Sequence, residues 1–210
     1  MKRTDNGALD TPCQVAECSR AAAVARSSAV PRLASEAVLP SSPDVTPPRL
    51  TGLPPVLARH THCLVLGSFP GVASLAAQQY YGHPRNHFWP LLSAIWQVDL
   101  VAMPYRSRLA EVRRRGLGIW DAYASCRREG SLDTAIEAAE LNDFALVLRR
   151  APELRLVLHN GGESSRAARA WQALGLPTRR LPSSSPANAS WSFERKLAAW
   201  REAFEAGGIG

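Results

Sequence analysis

The segment YYGHPRNHFW, residues 80–89, sets four aromatic rings, two histidines, one arginine and one asparagine side by side. A core strand has no use for the arginine and imidazoles, and a solvent loop has none for the rings. The mixture offers flat faces for stacking, a guanidinium at Arg85 and an amide at Asn86 that both donates and accepts hydrogen bonds. Three other stretches gather glycines, short hydroxyls and amides: GSFPG at 67–71, HNGGESS at 159–165 and SSSPANAS at 183–190. Taken singly each is weak. GSFPG lacks the spacing of a phosphate loop, and HNGGESS lacks the G-x-S-x-G of a nucleophile turn. His159 ends an apolar run and reads as a core or edge histidine before a catalytic one.

These stretches follow runs that read as strands: HCLVLG (62–67), apolar and buried, then LGIWD (117–121), LRLVLHN (154–160) and the short TRRLP (178–182). Helical spacing appears elsewhere. HFWPLLSAIW carries Phe88, Leu91, Leu92, Ile95 and Trp96, with Pro90 tolerable in a first turn. SRLAEVRRRG ends at Gly116, NDFALVLRR starts with Asn142 as its expected N-cap, and GESSRAARAWQALG closes at Gly175. SFERKLAAWREAFEAGG is a last amphipathic helix. Alternating strands and helices imply an α/β fold, a parallel sheet with crossover helices on both faces. Such sheets hold ligands beyond the carboxyl ends of their strands. GSFPG, DAYASC, HNGGE and SSSPANAS are therefore expected to meet at one crevice.

The 210 residues suffice for one domain and a tail. Residues 1–55 are rich in Ala, Ser, Pro and Arg and read as a weakly structured tail and linker, with a short helix near 17–26; residues 56–210 read as the domain. No apolar run reaches the roughly 18 residues of a membrane span, and the start lacks the apolar centre of a secretory signal. The four cysteines, Cys13, Cys18, Cys63 and Cys126, show no metal-ligand spacing and no disulfide framework, which suits a reducing compartment, the cytoplasm. The net charge of +7, carried almost wholly by arginine, favours a polyanionic partner, although genome composition accounts for it equally well.

The two long segments carry a resemblance. LVLGSFPGVASLAAQQYYGHPRNHFW resembles motif 1 and its sequel in the uracil-DNA glycosylase superfamily, and LPSSSPANASWSFERKLAAW is similar to that superfamily's motif 2 loop and following helix. The GSFPG…QYYGHPRNHFW form looks like the hypoxanthine-DNA glycosylase branch. The resemblance spans roughly residues 60–205. It implies a three-layer α/β/α sandwich around a short parallel sheet, acting as a monomer on double-stranded DNA that contains deaminated bases. It implies base flipping, hydrolysis of the N-glycosidic bond and release of an abasic site, with no cofactor and no metal.

It also implies site residues. Tyr81 matches the ring that stacks on the extruded base, with Tyr80 shaping the same wall; Phe88 and Trp89 fit core packing better. Ser68 and Phe69 belong to the base pocket. Phe69 stands where many relatives carry the group that positions water, so Asn86 becomes the catalytic candidate, holding water within about 3 Å of C1′. Asn86 could equally cap the helix after it. Asp121 stands at the place of the base-reading asparagine of the uracil enzymes, and Asn160 is a second reader. An ionised carboxylate accepts from a ring N–H but cannot donate to the neighbouring carbonyl, whereas an amide does both. Asp121 as a helix cap and Asn160 as a turn residue remain open. Uracil and hypoxanthine present the same carbonyl beside an N–H, so pocket size must separate them. Ser183, Ser184, Ser185, Ala187 and Asn188 would lie along the DNA, with Ala187 or Asn188 at the tip, and Arg85 would contact phosphate or stay solvated. The loop lacks the usual motif 2 histidine, so hypoxanthine is expected before uracil. A bifunctional enzyme needs an amine nucleophile. Lys2 lies in the tail and Lys196 in the last helix, away from the strand ends, so simple hydrolysis is expected. A non-catalytic binder of the same fold and an unrelated nucleoside hydrolase are the alternatives.

Overall fold

The computed structural model describes residues 47–209. In chain order they form β1 (Arg49–Thr51), β2 (Cys63–Gly67), α1 (Val72–Ala77), α2 (Phe88–Trp96), α3 (Tyr105–Arg114), β3 (Leu117–Asp121), β4 (Tyr123–Arg127), β5 (Glu137–Leu141), α4 (Phe144–Arg150), β6 (Leu156–Asn160), α5 (Ala168–Ala173), β7 (Thr178–Leu181) and α6 (Phe193–Ala206). The four expected strands make one parallel sheet in the order β3-β2-β6-β7. All five residues of β2 and of β3 are buried, as parallel strands covered on both faces require. Helices flank the sheet in the expected three-layer manner. The α2 and α6 helices interlock through the edge-on Phe88–Trp200 and tilted Trp96–Phe204 contacts, while α4 and α5 meet through the stacked rings of Phe144 and Trp171, 4.4 Å apart.

Local signals explain the helix ends. The Ser192 hydroxyl accepts from the Arg195 N–H and starts α6. Gly116 follows α3 and Gly175 follows α5, both at positive φ, where a side chain would be strained. The cap of α4 is one residue later than the sequence suggests. Asp143 accepts the Ala145 N–H, while Asn142 turns away and donates its Nδ2 to the Asp121 carbonyl at 2.9 Å.

Two features escaped the sequence. DAYASC is not a loop after β3: residues 123–127 are β4, which pairs antiparallel with β1 and β5 in a second, three-stranded sheet. With its burial pattern irregular and only Tyr123, Ser125 and Cys126 buried, β4 shows neither an apolar run nor a period of two to announce it. Residues before 56 also join the domain, against the boundary read from the sequence. Arg49–Thr51 pairs with β4, Leu53 and Val56 are buried, and the Tyr80 hydroxyl donates to the Leu53 carbonyl at 3.1 Å. The short helix expected near 17–26 lies outside the described residues. Among the described residues no helix is long and apolar enough to cross a membrane.

Trp200 is fully buried, and its Nε1 donates to the Pro182 carbonyl at 2.9 Å, tying α6 to the end of β7. Trp200→Ala should cost roughly 3–5 kcal/mol in denaturant unfolding. Trp200→Phe, which keeps most of the ring but leaves Pro182 without a donor, should cost about 1–2 kcal/mol. An undiminished stability in Trp200→Phe would show that the hydrogen bond contributes nothing.

Candidate active site

The carboxyl ends of the parallel strands open onto a cavity of about 850 Å³. All four stretches singled out from the sequence reach it, and Ser68, Phe69, Tyr81, Asn86, Asp121, Asn160, Ser183, Ser184, Ser185, Ala187 and Asn188 all contribute to its lining. Asp121 does so from the end of β3, so a strand and not a helix follows it, and it caps nothing.

Asp121 is 4 % exposed, and its Oδ2 has no hydrogen-bond partner among the described residues. Its neighbour in the β2–β3 register is Gly67. A Cβ on Gly67 would stand 2.3 Å from Asp121 Oδ1, so the glycine makes the space that the carboxyl fills. Burial, reinforced by the nearby Asp133 carboxylate and only partly offset by Arg128, raises the Asp121 pKa from its ordinary 3.8 to about 7. Near neutral pH the group is therefore present in both forms. When protonated it is an O–H donor beside a C=O acceptor, the same pair that an asparagine amide presents.

The Tyr81 hydroxyl lies on the same floor, close to Asp121 and Asn160 but without a well-formed hydrogen bond to either. Burial first, then the Asp121 charge, push its pKa up, so it stays a donor. Tyr81 adopts the left-handed backbone conformation, φ +54°, and Phe88 stacks on its ring at 3.8 Å and 19°. One face of the ring is thus already covered by the core, and Phe88 and Trp89 are core residues as expected. Tyr80 is buried too, though it forms part of the cavity wall.

Asn160 has a different task from free base reading. Its Nδ2 donates to Ser184 Oγ at 2.9 Å, and its Oδ1 accepts the Ser184 N–H at 2.8 Å. The Ser184 carbonyl accepts the His87 N–H at 2.9 Å. Ser184 is consequently buried at 0 % exposure, a fastener between β6, the 183–190 loop and the start of α2. The Asn160 amide keeps one N–H and one lone pair for another partner.

Asn86 Oδ1 accepts the Phe88 N–H at 2.9 Å, so the asparagine does cap α2, and it also faces the cavity. The cap uses one lone pair and fixes the plane of the amide. In the 183–190 loop the side chains mostly hold the loop itself. Ser183 Oγ accepts the Ser185 N–H, Ser185 Oγ accepts the Ala187 N–H, and Asn188 Nδ2 donates to the Ser183 carbonyl. Of the two candidates for the tip, Ala187 is the exposed one.

No protein-family model matches the chain. A Methanosarcina barkeri protein named hypoxanthine DNA glycosylase is 42 % identical over 154 residues, 73 % of this chain and 97 % of that protein. A protein of the same name from Methanosarcina acetivorans is 37 % identical over 153 residues, 73 % of this chain and 96 % of its own length. A solution NMR structure from Methanosarcina acetivorans, described as a uracil DNA glycosylase, superposes with a TM-score of 0.66 at 36 % identity, over 73 % of this chain and 98 % of that one. The chain belongs to the hypoxanthine-DNA glycosylase branch of the uracil-DNA glycosylase superfamily.

Several groups at this glycosylase site carried no signal that sequence reasoning used. The segment joining β4 and β5 forms one side of the cavity with Ser131, Leu132, Asp133 and Thr134, and Asp133 accepts from Ser68 Oγ at 2.6 Å. Ser68 is thereby a support for this segment. Burial raises the Asp133 pKa as well, and the Ser68 hydrogen bond opposes it. Phe69 lies under the Arg128 guanidinium, 5.1 Å from its ring centre, and Arg128 donates to the Pro70 carbonyl. Arg180, from within β7, and Trp191, just after the 183–190 loop, border the cavity. His159 is 1 % exposed, and burial lowers its pKa, so it is a neutral core histidine. Lys196 is nearer than its place in the last helix suggests. It does not reach the main cavity but lines a second one that shares Asn86 and Asn188 with it. Among the described residues no group of three His, Cys, Asp or Glu side chains could hold a metal ion.

Folding raises the Asp121 pKa, so the folded state holds this proton more tightly than the unfolded chain. Its contribution to stability is full below about pH 4 and is lost as pH rises through 7. Asp121→Asn should therefore lose little at pH 5 and gain on the order of a few kcal/mol relative to wild type at pH 8.5 in denaturant titrations. Parallel pH profiles of the two proteins would contradict the raised pKa. Gly67→Ala should displace the Asp121 carboxyl by about 1 Å and, with it, lower turnover roughly 100-fold.

Proposed function

We propose that this chain is a monofunctional DNA glycosylase that hydrolyses the N-glycosidic bond of deaminated bases in double-stranded DNA, hypoxanthine foremost and uracil second. The observation that carries the reading is the cavity floor, where Tyr81 Oη and Asp121 Oδ2, both buried and without partners among the described residues, meet at the strand ends. Buried polar atoms without partners are costly unless a ligand satisfies them. The volume of about 850 Å³ lies within the usual range for small-molecule sites, roughly 300–1,000 Å³.

A base of the duplex reaches this floor only by leaving the stack, which costs a few kcal/mol and least at a mispair. The aromatic wall around Tyr81 replaces part of the lost stacking. Neutral Asp121 donates its O–H to the carbonyl of the base and accepts from the adjoining ring N–H. The glycosidic bond then breaks with its electrons passing to the base, and the hydrogen bond from Asp121 strengthens as negative charge gathers there. Asn86, its amide plane set by the Phe88 cap, holds a water with its free lone pair or N–H against the sugar. The water adds to the oxocarbenium-like C1′, gives up a proton and leaves an abasic site. Chain length and surface suit a monomer working in the cytoplasm, where the buried thiols of Cys63 and Cys126 would stay reduced.

Duplexes carrying one deoxyinosine or one deoxyuridine, incubated with the protein and then treated with alkali, should break at the lesion, faster for deoxyinosine. Tight binding with no break at enzyme excess would leave a lesion binder instead. The excision rate should fall above about pH 7 as Asp121 ionises, and Asp121→Asn, a donor and acceptor at every pH, should lose that alkaline limb. Asn86→Ala should lower single-turnover excision by about 100-fold or more and stability by about 1 kcal/mol through the lost cap. Full activity in that variant would remove the water-holding role.

A further inference from the structure

The second cavity, of about 500 Å³, lies between the 84–90 segment and the 186–193 segment. Its lining is one-sided. Arg85, His87 and Lys196 contribute to it, and among the described residues no carboxylate does. Lys196 is 1 % exposed, yet its ammonium has neither a hydrogen-bond acceptor nor an ion pair among the described residues. His87 Nδ1 is buried and also without a partner, and its ring stands edge-on to Phe193 at 5.5 Å. Arg85 is exposed and makes no ion pair among the described residues. The floor includes Ser192, the N-cap of the 14-residue α6 helix, whose positive end faces the same space.

The Lys196 stem is packed among protein atoms, its ammonium at the cavity has no counter-ion among the described residues, and burial lowers its pKa. Nearby Lys196 lowers that of His87 in turn, after burial. No described residue compensates this charge, so an anion from outside is the natural complement. The neighbourhood says which anion. Asn86 and Asn188 belong to both cavities, so a nucleotide extruded into the first leaves its backbone at the mouth of the second.

We propose that the second cavity is a seat for one DNA backbone phosphate beside the flipped nucleotide, gripped by Lys196 and Arg85 and completed by the start of α6. The inference rests on the reading of the chain as an enzyme acting on DNA. Lys196 then acts as a positioning residue, holding the backbone so that the sugar meets Asn86. A point charge on a fixed stem suits one phosphate oxygen, and the contact carries no sequence preference.

The test uses duplexes with a 2′-fluoro deoxyinosine, which resists hydrolysis, and a single uncharged methylphosphonate moved along the lesion strand. Anisotropy with wild-type protein should show about a tenfold loss of affinity at one linkage beside the lesion. Lys196→Met should bind the all-phosphate duplex about tenfold more weakly, show no further loss at that linkage, and reduce the salt slope by about one. Its melting temperature should equal or exceed that of wild type, because an uncompensated charge has been replaced by an apolar side chain of similar length. A merely structural lysine would instead lower stability and leave the linkage profile intact. Arg85→Gln, on an exposed residue, gives the second reading of the same linkage without risk to folding. Unchanged affinity and salt slope in both variants would overturn the proposal. So would borohydride trapping of Lys196 on abasic DNA, which would make it a nucleophile. Excision of ordinary deoxyinosine by wild type, run beside these, separates the two readings: product without a linkage effect removes only the phosphate seat, and binding without product removes only the glycosylase.

Discussion

Gly67 and Asp121 stand opposite one another in the β2–β3 register, and the missing side chain of the first lets the second withdraw its carboxyl from water. The rest of the site is arranged around that desolvated group. Tyr81 brings its hydroxyl to the same spot through a left-handed backbone conformation, and the stack on Phe88 fixes its ring. The β4–β5 connection supplies Asp133, whose charge adds to the effect of burial. The outcome is a carboxyl group whose protonated form, present beside the ionised one near neutral pH, offers the donor and acceptor pair of an asparagine amide. In that form the proposed reading of a lactam edge by Asp121 meets no charge.

A second constraint is mechanical. The 83–88 segment and the 183–190 loop come from opposite ends of the domain, and both are held by Ser184, which is itself clamped by the Asn160 amide. Asn86 is then fixed by its own cap on α2. The groups proposed to hold water and backbone are therefore preset by hydrogen bonds between strand ends, and need little rearrangement when DNA arrives. Asn160, a base reader by resemblance, is the hub of that clamp and keeps one N–H and one lone pair for another partner.

What the sequence made legible was what apolar burial dictates. HCLVLG, LGIWD and the LVLH of LRLVLHN are apolar runs because these parallel strands are covered on both faces, TRRLP is the half-exposed edge strand, and the carboxyl ends of all four border the cavity. The β1-β4-β5 sheet was not legible, since Glu137–Leu141 is exposed throughout and alternates nothing. Neither was the division of labour among polar residues. Whether Asn142 or Asp143 caps α4, whether Ser184 faces DNA or the interior, and whether Lys196 lies near Asn86 depend on side-chain directions set by tertiary contacts. Local spacing does not encode them.

The account depends most on the protonation of Asp121, and this can be read directly. With carboxyl-labelled aspartate, the Asp121 Cγ resonance, assigned by its absence in Asp121→Asn, should titrate in free wild-type protein with a midpoint near pH 7. A midpoint near the ordinary 3.8 would mean that the carboxyl is ionised and solvated at neutral pH, and the asparagine-like floor of the cavity would not exist.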